Sequence, residues 1–384
     1  MKNLFKNAFV VSLLMCGAAT AQTQGVSDDE VLIGTNSDLS GPFAGFGAPA
    51  VRAANLYFDQ VNASGGVHGR KIRLIVEDHG YQLPRAMTGF NKLLNSDKVF
   101  AMFLTTGTPM NVALFPLLEG RGVPNIAPLS VGRQLLDPPA PYKYASVSSY
   151  YDQIRAGVSY LVKNEGATSI CAMYIPSDFG QEIAEGAKDI SSELGLNFAS
   201  ETTHRPDEQD FVGSLTKLRA DGCDTIAIAL GLRQVITAVA TAKKIGWTDV
   251  NFLGSSAAFH TAVARVPGGV TEGMYASAGW SDIVARMDNP TLAEWVASYQ
   301  EATGEVPPTG ALLGRSAAEL LVRALDATGP DLTHESFQAA MENIQYTDEI
   351  LGVEVDYDPG DHQGADVIII SRIVEGNWIE VARQ

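Results

Sequence analysis

The sequence predicts an α/β protein with two doubly wound, Rossmann-like lobes. Short apolar runs of strand length alternate with amphipathic stretches of helical period along most of the chain. Such alternation is typical of parallel sheets that are covered by helices on both faces. A domain usually contains about 100–200 residues, so the 384 residues of this chain favour two domains.

The strands are predicted where apolar runs are bounded by turn residues. They cover residues 31–37, 71–78, 99–104, 123–127, 168–175, 224–230 and 250–253, followed by a segment at 275–279 and an alternating tail at 351–357 and 365–381. Apolar positions at helical spacing predict helices at 49–63, 110–119, 151–164, 181–194, 210–220, 234–245, 290–303 and 312–328. A turn at Glu375-Gly376-Asn377 predicts that the tail forms antiparallel strands.

The order of these elements indicates that the chain leaves the first lobe and later returns to it. A proline-rich passage precedes a candidate crossing at 144–148. We expect lobe 1 to contain residues 22–145 and 279–358, and lobe 2 to contain residues 146–278 and 359–384. Several linking segments between the same two lobes predict a hinge.

The first residues have the features of an export signal. Lys2 and Lys6 precede an apolar core at 8–17, and an A-x-A cleavage site ends at Ala21. An apolar core of about ten residues is too short to span a bilayer. We therefore expect a signal peptide over residues 1–21, cleavage after Ala21 and release into the periplasm, which offers no NAD or ATP pool for nucleotide-dependent chemistry.

The composition describes a globular chain with a large core and an acidic balance of charge. Hydrophobic residues make up 46% of the chain, charged residues make up 18%, and the formal net charge is −17. A strongly negative charge disfavours nucleic acids and anionic lipid headgroups as partners. Beyond the export signal no apolar run has the length of a membrane span, so we expect no membrane insertion.

Two of the three cysteines follow the export signal, and their positions disfavour a disulfide. Cys171 lies inside a predicted strand, whereas Cys223 precedes another one. An oxidising compartment permits a disulfide, but the two α-carbons must then lie about 4.4–6.8 Å apart. We expect a longer separation and two unpaired thiols.

Motifs for cofactors, metals and catalysis are absent from the sequence or weak in it. Gly45, Gly47 and Ala50 match the dinucleotide pattern G-x-G-x-x-A, but they come too late after the first strand, and no acidic residue follows about 20 positions on. We expect a flexible loop beside the cleft there. No Cys/His spacing suits a metal, and the six histidines are scattered, so we interpret them as solvated side chains. We therefore expect no cofactor, no metal and no enzymatic activity.

The segment at 103–111 is the strongest candidate for a ligand site. Thr108 before Pro109 predicts a helix N-cap followed by proline in the first turn, and Gly107 permits a tight turn. Thr105, Thr106 and Thr108 would place hydroxyls beside unpaired helix N–H groups, which favour a carboxylate. Alternatively, Thr108 only caps its helix. The next strand-end loop would add Ser130.

Corresponding loops of the second lobe supply further candidates. Asp178 predicts an N-cap, and Phe179 points either toward the cleft or into its own lobe. Leu232 and Ser256 lie in loops that follow later strands of the same lobe. Ligands of doubly wound sheets bind beyond the carboxyl ends of the strands, so these loops would face the cleft.

In the order of its motifs, the chain resembles the type I periplasmic solute-binding proteins of ABC importers, the Leu/Ile/Val-binding group. The resemblance rests on the stretches 31–42, 65–72, 107–113, 122–124, 177–180 and 325–329. It implies two α/β lobes that are joined by three crossovers and close over a small-molecule ligand. It also implies delivery of that ligand to an ABC permease in the inner membrane, and we expect a monomer.

The resemblance assigns roles to residues of both lobes. It implies that the first lobe holds a ligand carboxylate through Thr106, Gly107, Thr108, Leu129, Ser130 and Val131. It implies aromatic contacts from Phe46 and Phe179. We include Thr105, Tyr150, Leu232, Ser256 and Trp280 as further candidate ligand-binding residues.

The resemblance breaks down at one position that bears on the ligand. Amino-acid binders of this group place an acidic residue where this chain has Ser255-Ser256. Burying an ammonium without a counter-charge costs several kcal/mol, so we expect an apolar or aromatic carboxylic acid without an α-amino group. Asp38 or Asp178 could supply the charge instead, and a hydrophobic amino acid would then fit. A periplasmic sensor subunit and a periplasmic enzyme are the competing hypotheses for the function.

Overall fold

The computed structural model describes residues 23–384, so the predicted signal peptide lies outside the described residues. The strands are β1 (Glu30–Ser37), β2 (Lys71–Asp78), β3 (Ala101–Phe103), β4 (Asn125–Ile126), β5 (Ser169–Tyr174), β6 (Asn197–Thr203), β7 (Thr225–Ala229), β8 (Asn251–Gly254), β9 (Tyr275–Ala278), β10 (Gln345–Asp348), β11 (Val353–Asp356), β12 (Ile369–Val374) and β13 (Asn377–Arg383). The α-helices are α1 (Ala44–Ala63), α2 (Leu83–Asn91), α3 (Thr108–Leu118), α4 (Tyr150–Glu165), α5 (Asp178–Glu193), α6 (Val212–Ala220), α7 (Leu232–Lys244), α8 (Thr261–Ala264), α9 (Pro290–Thr303), α10 (Thr309–Thr328) and α11 (His334–Met341). None of the helices in this part of the chain is both long and apolar enough to cross a membrane.

The first lobe is built on a parallel sheet with the strand order β2-β1-β3-β4. The chain runs from β1 outward to β2 and then returns to the other side of β1 to form β3. The direction of winding therefore reverses between β1 and β3, and a crevice opens at the carboxyl ends of these two strands. The loops that follow β1 and β3 reach this crevice.

The second lobe is built on a larger sheet with the order β13-β12-β9-β8-β7-β5-β6. The strands from β6 to β9 run parallel, and the β12–β13 hairpin joins them antiparallel at β9. The tail therefore forms antiparallel strands as its alternating pattern predicts. The edge strand β6 was not predicted, because its residues are half-buried and no apolar run sets it apart.

Three segments of the chain connect the two lobes. The first lies at the predicted crossing, where Tyr144 pairs with Ile126 of the first sheet. Ala145 then pairs with Gln363 of the last connection, and the Tyr357 hydroxyl donates to the Ala145 carbonyl at 2.9 Å. The second connection follows β9. Because the first and last of these segments bond to one another, they form one hinge between the lobes.

Cys171 and Cys223 form a disulfide, and the expectation of two unpaired thiols was wrong. Their α-carbons are 5.8 Å apart. The strands β5 and β7 are direct neighbours in the sheet, and Ile170 pairs with Thr225. Cys223, two residues before β7, therefore lies near the beginning of β5, a proximity that depends on strand order.

The interpretation of all the histidines as solvated was also wrong. His79, His204, His260 and His362 are buried. Each is held by polar partners. For example, His204 Nδ1 lies 2.9 Å from Glu208 Oε1, and His362 Nδ1 lies 2.8 Å from the Lys143 carbonyl. These bonds offset the cost of removing an imidazole from water.

Candidate functional site

A cavity lies between the two lobes, at the carboxyl ends of the strands. The candidate residues that line it are Phe46, Thr106, Gly107, Thr108, Leu129, Ser130, Val131, Tyr150, Phe179, Ser256 and Trp280. The strand-end loops of both lobes therefore meet at one place.

Two candidate residues, Thr105 and Leu232, do not line the cavity. Thr105 is fully buried, and its carbonyl accepts hydrogen bonds from the Leu129 N–H and from Asn111 Nδ2, both at 3.0 Å. It therefore ties together the loops that carry Thr106 and Ser130. Leu232 lies beside α1, where a Cβ on Gly45 would be 2.8 Å from its Cδ1.

The polar end of the cavity lies at the N-terminus of α3. The helix begins at Thr108, and Gly107 is its N-cap with a φ of +94°. The predicted N-cap role of Thr108 was therefore wrong, because no side chain caps this helix. The Thr108 hydroxyl instead lies 2.7 Å from the Ser130 hydroxyl, so the two loops present paired oxygens to the cavity.

Two further hydroxyls complete this polar end. The Thr106 hydroxyl lies 2.5 Å from the hydroxyl of buried Ser37. Burial raises the pKa of Tyr150 to about 12, so this phenol stays protonated at neutral pH and can donate a hydrogen bond. The first N–H groups of a helix have no partner within the helix, and they point toward the same end. The arrangement offers neutral donors to an anion.

Aromatic rings form much of the remaining wall. Phe43, after the Ser-Gly-Pro turn, meets Phe179 edge-to-face with ring centroids 5.6 Å apart, and Tyr150 contacts Phe179 at 5.3 Å. Phe179 therefore points into the cavity and contacts a ring from the first lobe. The helix α5 begins at Asp178 with Ser177 as N-cap, so the prediction of Asp178 as the N-cap was wrong.

No charged side chain lines the cavity among the residues that the structure describes. Asp38 accepts hydrogen bonds from the Gly41 and Phe43 N–H groups at 2.6 and 2.9 Å, and it shapes the turn rather than the cavity wall. Asp178 does not line the cavity either. Ser256 donates its backbone N–H to Gln153 Oε1 at 2.8 Å. A ligand ammonium would therefore find no carboxylate in direct contact.

Residues outside the cavity hold the lobes together. The Arg133 N–H donates to Glu182 Oε1 at 2.9 Å, and the Arg133 guanidinium lies 3.6 Å from the centre of the Tyr151 ring. His260 follows β8, and its Nε2 atom lies 3.1 Å from the Gly45 carbonyl oxygen. Gly45 belongs to the first turn of α1, so the predicted flexible loop was wrong. These contacts bridge the cleft.

Several lining residues were not predicted from the sequence. They are Phe43, Tyr81, Leu104, Ala127, Pro128, Ser146, Val147, Ala257, Leu313, Ser316, Ala317 and Leu351. Some belong to α10, which packs so closely on α1 that a Cβ on Gly314 would be 2.1 Å from the Ala50 carbonyl. Gly310 and Gly314, four residues apart on one helix, were the signal for this close packing. Within the described part of the chain, no group of three or more His, Cys, Asp or Glu residues could hold a metal ion.

Two named bacterial proteins are similar to this chain at low sequence identity. An amino acid binding protein of Pseudomonas aeruginosa is 23% identical over 225 residues, and the match spans 59% of this chain and 59% of that relative. The Leu/Ile/Val-binding protein homolog 7 of Brucella suis is 24% identical over 330 residues, which cover 83% of this chain and 81% of the relative.

Solved structures share the fold along nearly the whole chain. A fatty acid ABC transporter substrate-binding protein from Thermomonospora curvata matches with a TM-score of 0.85 and 24% identity, over 94% of this chain and 93% of that chain. A solute-binding protein of an ABC transporter from R. palustris, in complex with benzoate, matches with a TM-score of 0.82 and 17% identity, over 92% of this chain and 96% of that chain.

Family membership is shown by a family model and not by these low identities. The model described as periplasmic binding protein matches residues 30–377, which include both sheets and the cavity between them. The chain belongs to the periplasmic binding protein family.

Proposed function

We propose that the protein is the solute-binding component of an ABC importer and that it binds a small apolar or aromatic carboxylic acid without an α-amino group. The observation that carries this proposal is the uncharged cavity, which has hydroxyls and a helix N-terminus at one end and aromatic walls. A carboxylate suits the donors, and an apolar body suits the rings.

The energetics of burial favour such a ligand over an amino acid. In the Thr108–Ser130 pair one hydroxyl donates to the other, so the pair would donate one hydrogen bond to the carboxylate. The carboxylate would also lie in the positive field of α3, which stabilises an anion. An ammonium would lose its hydration without gaining a carboxylate in direct contact, at a cost of several kcal/mol. Phe43, Phe46 and Phe179 would cover the apolar part of the ligand.

The named relatives support both the proposal and a second candidate. The two similar solved structures are described with fatty acids and with benzoate, and both ligands are carboxylic acids without an amino group. The Brucella relative is named for leucine, isoleucine and valine, so a hydrophobic amino acid is the second candidate.

The proposed route follows from the family and from the first residues of the chain. Residues 1–21 direct export and are removed after Ala21, and the protein then works in the periplasm as a monomer. It closes over the acid and delivers it to a permease of the inner membrane. No step of this route changes the ligand, so the protein is not an enzyme.

A thermal-shift and calorimetry screen tests the proposal. Benzoate, phenylacetate and hexanoate should raise the melting temperature, whereas benzamide, L-phenylalanine and L-leucine should not. A ligand at 100 times its dissociation constant adds about 2.7 kcal/mol to the free energy of unfolding, which is easily detected. Binding of L-leucine without binding of any acid would replace the proposal with the second candidate.

A further inference from the structure

Ser316 gives the apolar part of the cavity a hydrogen-bond acceptor. It belongs to α10 and not to the two loops of the polar end, and it lines the cavity. Its hydroxyl donates to Oδ2 of Asp348, which is fully buried behind it. Because the proton of Ser316 is engaged by Asp348, the Ser316 oxygen can only accept a bond from the cavity side.

The hydrogen bonds around Asp348 indicate that Ser316 is the donor and Asp348 the acceptor. Its second oxygen, Oδ1, accepts from the Ile350 N–H at 2.8 Å and from the Leu351 N–H at 2.9 Å. Together with Ser316, three donors therefore point at one carboxyl group. Burial raises the pKa of Asp348, and these bonds oppose that rise because they stabilise the ionised form, in which the carboxylate only accepts. Ser316 is then the donor of the pair.

Trp280 provides a complementary group on another element. It follows β9, lines the same cavity and is almost fully buried. Its indole N–H has no hydrogen-bond partner among residues 23–384. A buried donor without a partner costs about 1–3 kcal/mol, so a bound molecule that supplies an acceptor gains this energy back.

We infer that the preferred ligand carries a hydroxyl group on its apolar body, in addition to its carboxylate. This inference rests on the proposed function. A carboxylate has no proton at neutral pH and cannot donate to Ser316. A hydroxyl both donates and accepts, so it can donate to the Ser316 oxygen or accept from the Trp280 N–H. The ligand class is therefore a hydroxy acid, and a hydroxybenzoate is its simplest aromatic form.

A ligand ammonium is the competing donor, and the structure favours the hydroxyl. Asp348 already has three neutral donors, and no charged side chain lines the cavity within the described residues 23–384. A cation at Ser316 would contact the serine oxygen and not the Asp348 carboxylate itself. A neutral donor avoids the desolvation cost that such a cation would carry.

Matched acids test the inference by calorimetry on the exported form of the full chain. The pairs are benzoate with 3- and 4-hydroxybenzoate, and phenylacetate with 4-hydroxyphenylacetate. We expect at least one hydroxy acid to bind about ten-fold more tightly than its parent. The analogue 4-methoxybenzoate accepts but cannot donate, and it should lose this gain. 4-(Aminomethyl)benzoate places an ammonium at the same end and should bind more weakly than 4-hydroxybenzoate.

Variants of Ser316 and Trp280 test whether these two residues cause the preference for hydroxy acids. Ser316→Ala should bring the affinities of the hydroxy acid and its parent to within about two-fold of each other. Trp280→Phe should reduce the same ratio independently. Ser277→Ala removes a buried hydroxyl that does not line the cavity, and it should leave the ratio intact. If Ser316→Ala does not fold, the methoxy comparison on the wild-type protein decides.

The outcomes separate this inference from the proposed function. Parent acids that bind as tightly as every hydroxy acid, or tightest binding of the ammonium analogue, would overturn the inference and leave the acid-binding function standing. Absence of binding by all the acids would overturn both. A hydroxyl preference that survives Ser316→Ala and Trp280→Phe would remove these two residues as its cause.

Discussion

Thr108 has a different role from the one its neighbours in sequence suggest. Before a proline it would normally cap the helix, yet Gly107 takes the cap position with a φ of +94°, a conformation that suits glycine. The Thr108 hydroxyl is thereby free to pair with Ser130 at 2.7 Å. Two side chains from different loops are thus held where an anion would meet the helix.

We expect Thr108→Val to weaken binding of a carboxylic acid while the fold is kept. Losing a hydrogen bond to a charged group costs about 1.5–3 kcal/mol, and calorimetry with benzoate would measure this loss. Thr237→Val serves as a control, because the Thr237 hydroxyl donates to the Arg233 carbonyl of its own helix, away from the cavity. Unchanged affinity in Thr108→Val would mean that the carboxylate is held elsewhere.

At the scale of elements, sequence patterns predicted the positions of strands more reliably than they predicted which strands are neighbours in a sheet. The predicted β2 agrees with the structure at both ends, and the predicted β1 agrees to within one residue, since both are bounded by turn residues. The edge strand β6 and the short strand β10 lack an apolar run and were missed. Local sequence patterns do not determine the order of strands in a sheet, and the pairing of Cys171 with Cys223 was therefore not predicted.

Local sequence patterns also predicted only part of the cavity lining. Strand-end loops such as those of Thr106 and Ser130 were predicted, because doubly wound sheets place their sites there. Ser316 was not predicted, because its partner Asp348 is 32 residues away and only the tertiary fold of this segment brings them together. Pairings of this kind depend on the packing of α10.

The disulfide should contribute strongly to the stability of the second lobe. It joins β5 to the beginning of β7 and closes a loop that contains α5, β6 and α6, with a sequence separation of 52 residues. Loop-closure entropy for such a length gives a stabilisation of about 4 kcal/mol.

Denaturant unfolding of the oxidised protein and of the double variant Cys171→Ser/Cys223→Ser would measure this contribution. We expect the free energy of unfolding to fall in the variant by an amount up to this value. The reduced wild-type protein should behave like the variant. Equal stability of all three forms would contradict a structural role for the bond.

At the scale of the whole molecule, the contacts across the cleft join the two lobes around the cavity. Phe43 against Phe179 provides apolar contact, Arg133 with Glu182 provides a charged pair, and His260 with Gly45 provides a bond between an imidazole and the backbone. His260 Nδ1 accepts the Ala262 N–H at 2.9 Å, which requires a neutral imidazole, and Nε2–H then donates to the Gly45 carbonyl.

Acid should therefore weaken the fold through His260. Burial lowers its pKa from 6.5 to about 4, so the unfolded chain takes up the proton first as the pH falls. The free energy of unfolding should decrease between about pH 6.5 and pH 4, by about 3 kcal/mol for this group, and the effect should level off below pH 4. Above pH 6.5 both states are neutral, and the group adds no pH dependence.

Urea unfolding at several pH values, on the wild-type protein and on His260→Gln, would isolate this contribution. The variant should show a shallower loss of stability over that interval. Thr237→Val removes no titratable group and should show the same pH dependence as the wild-type protein. Identical curves for His260→Gln and the wild-type protein would show that another group titrates.

The uncharged cavity has a consequence for competition by ions. A site that holds an anion with lysine or arginine also attracts chloride and phosphate, and salt weakens it by screening. Here the anion would meet only dipoles and hydroxyls, and an inorganic ion would gain nothing from the aromatic walls. With a net charge of −17 on the chain, added salt reduces the repulsion of an approaching acid. Capture should therefore hold steady or improve as the medium becomes more saline.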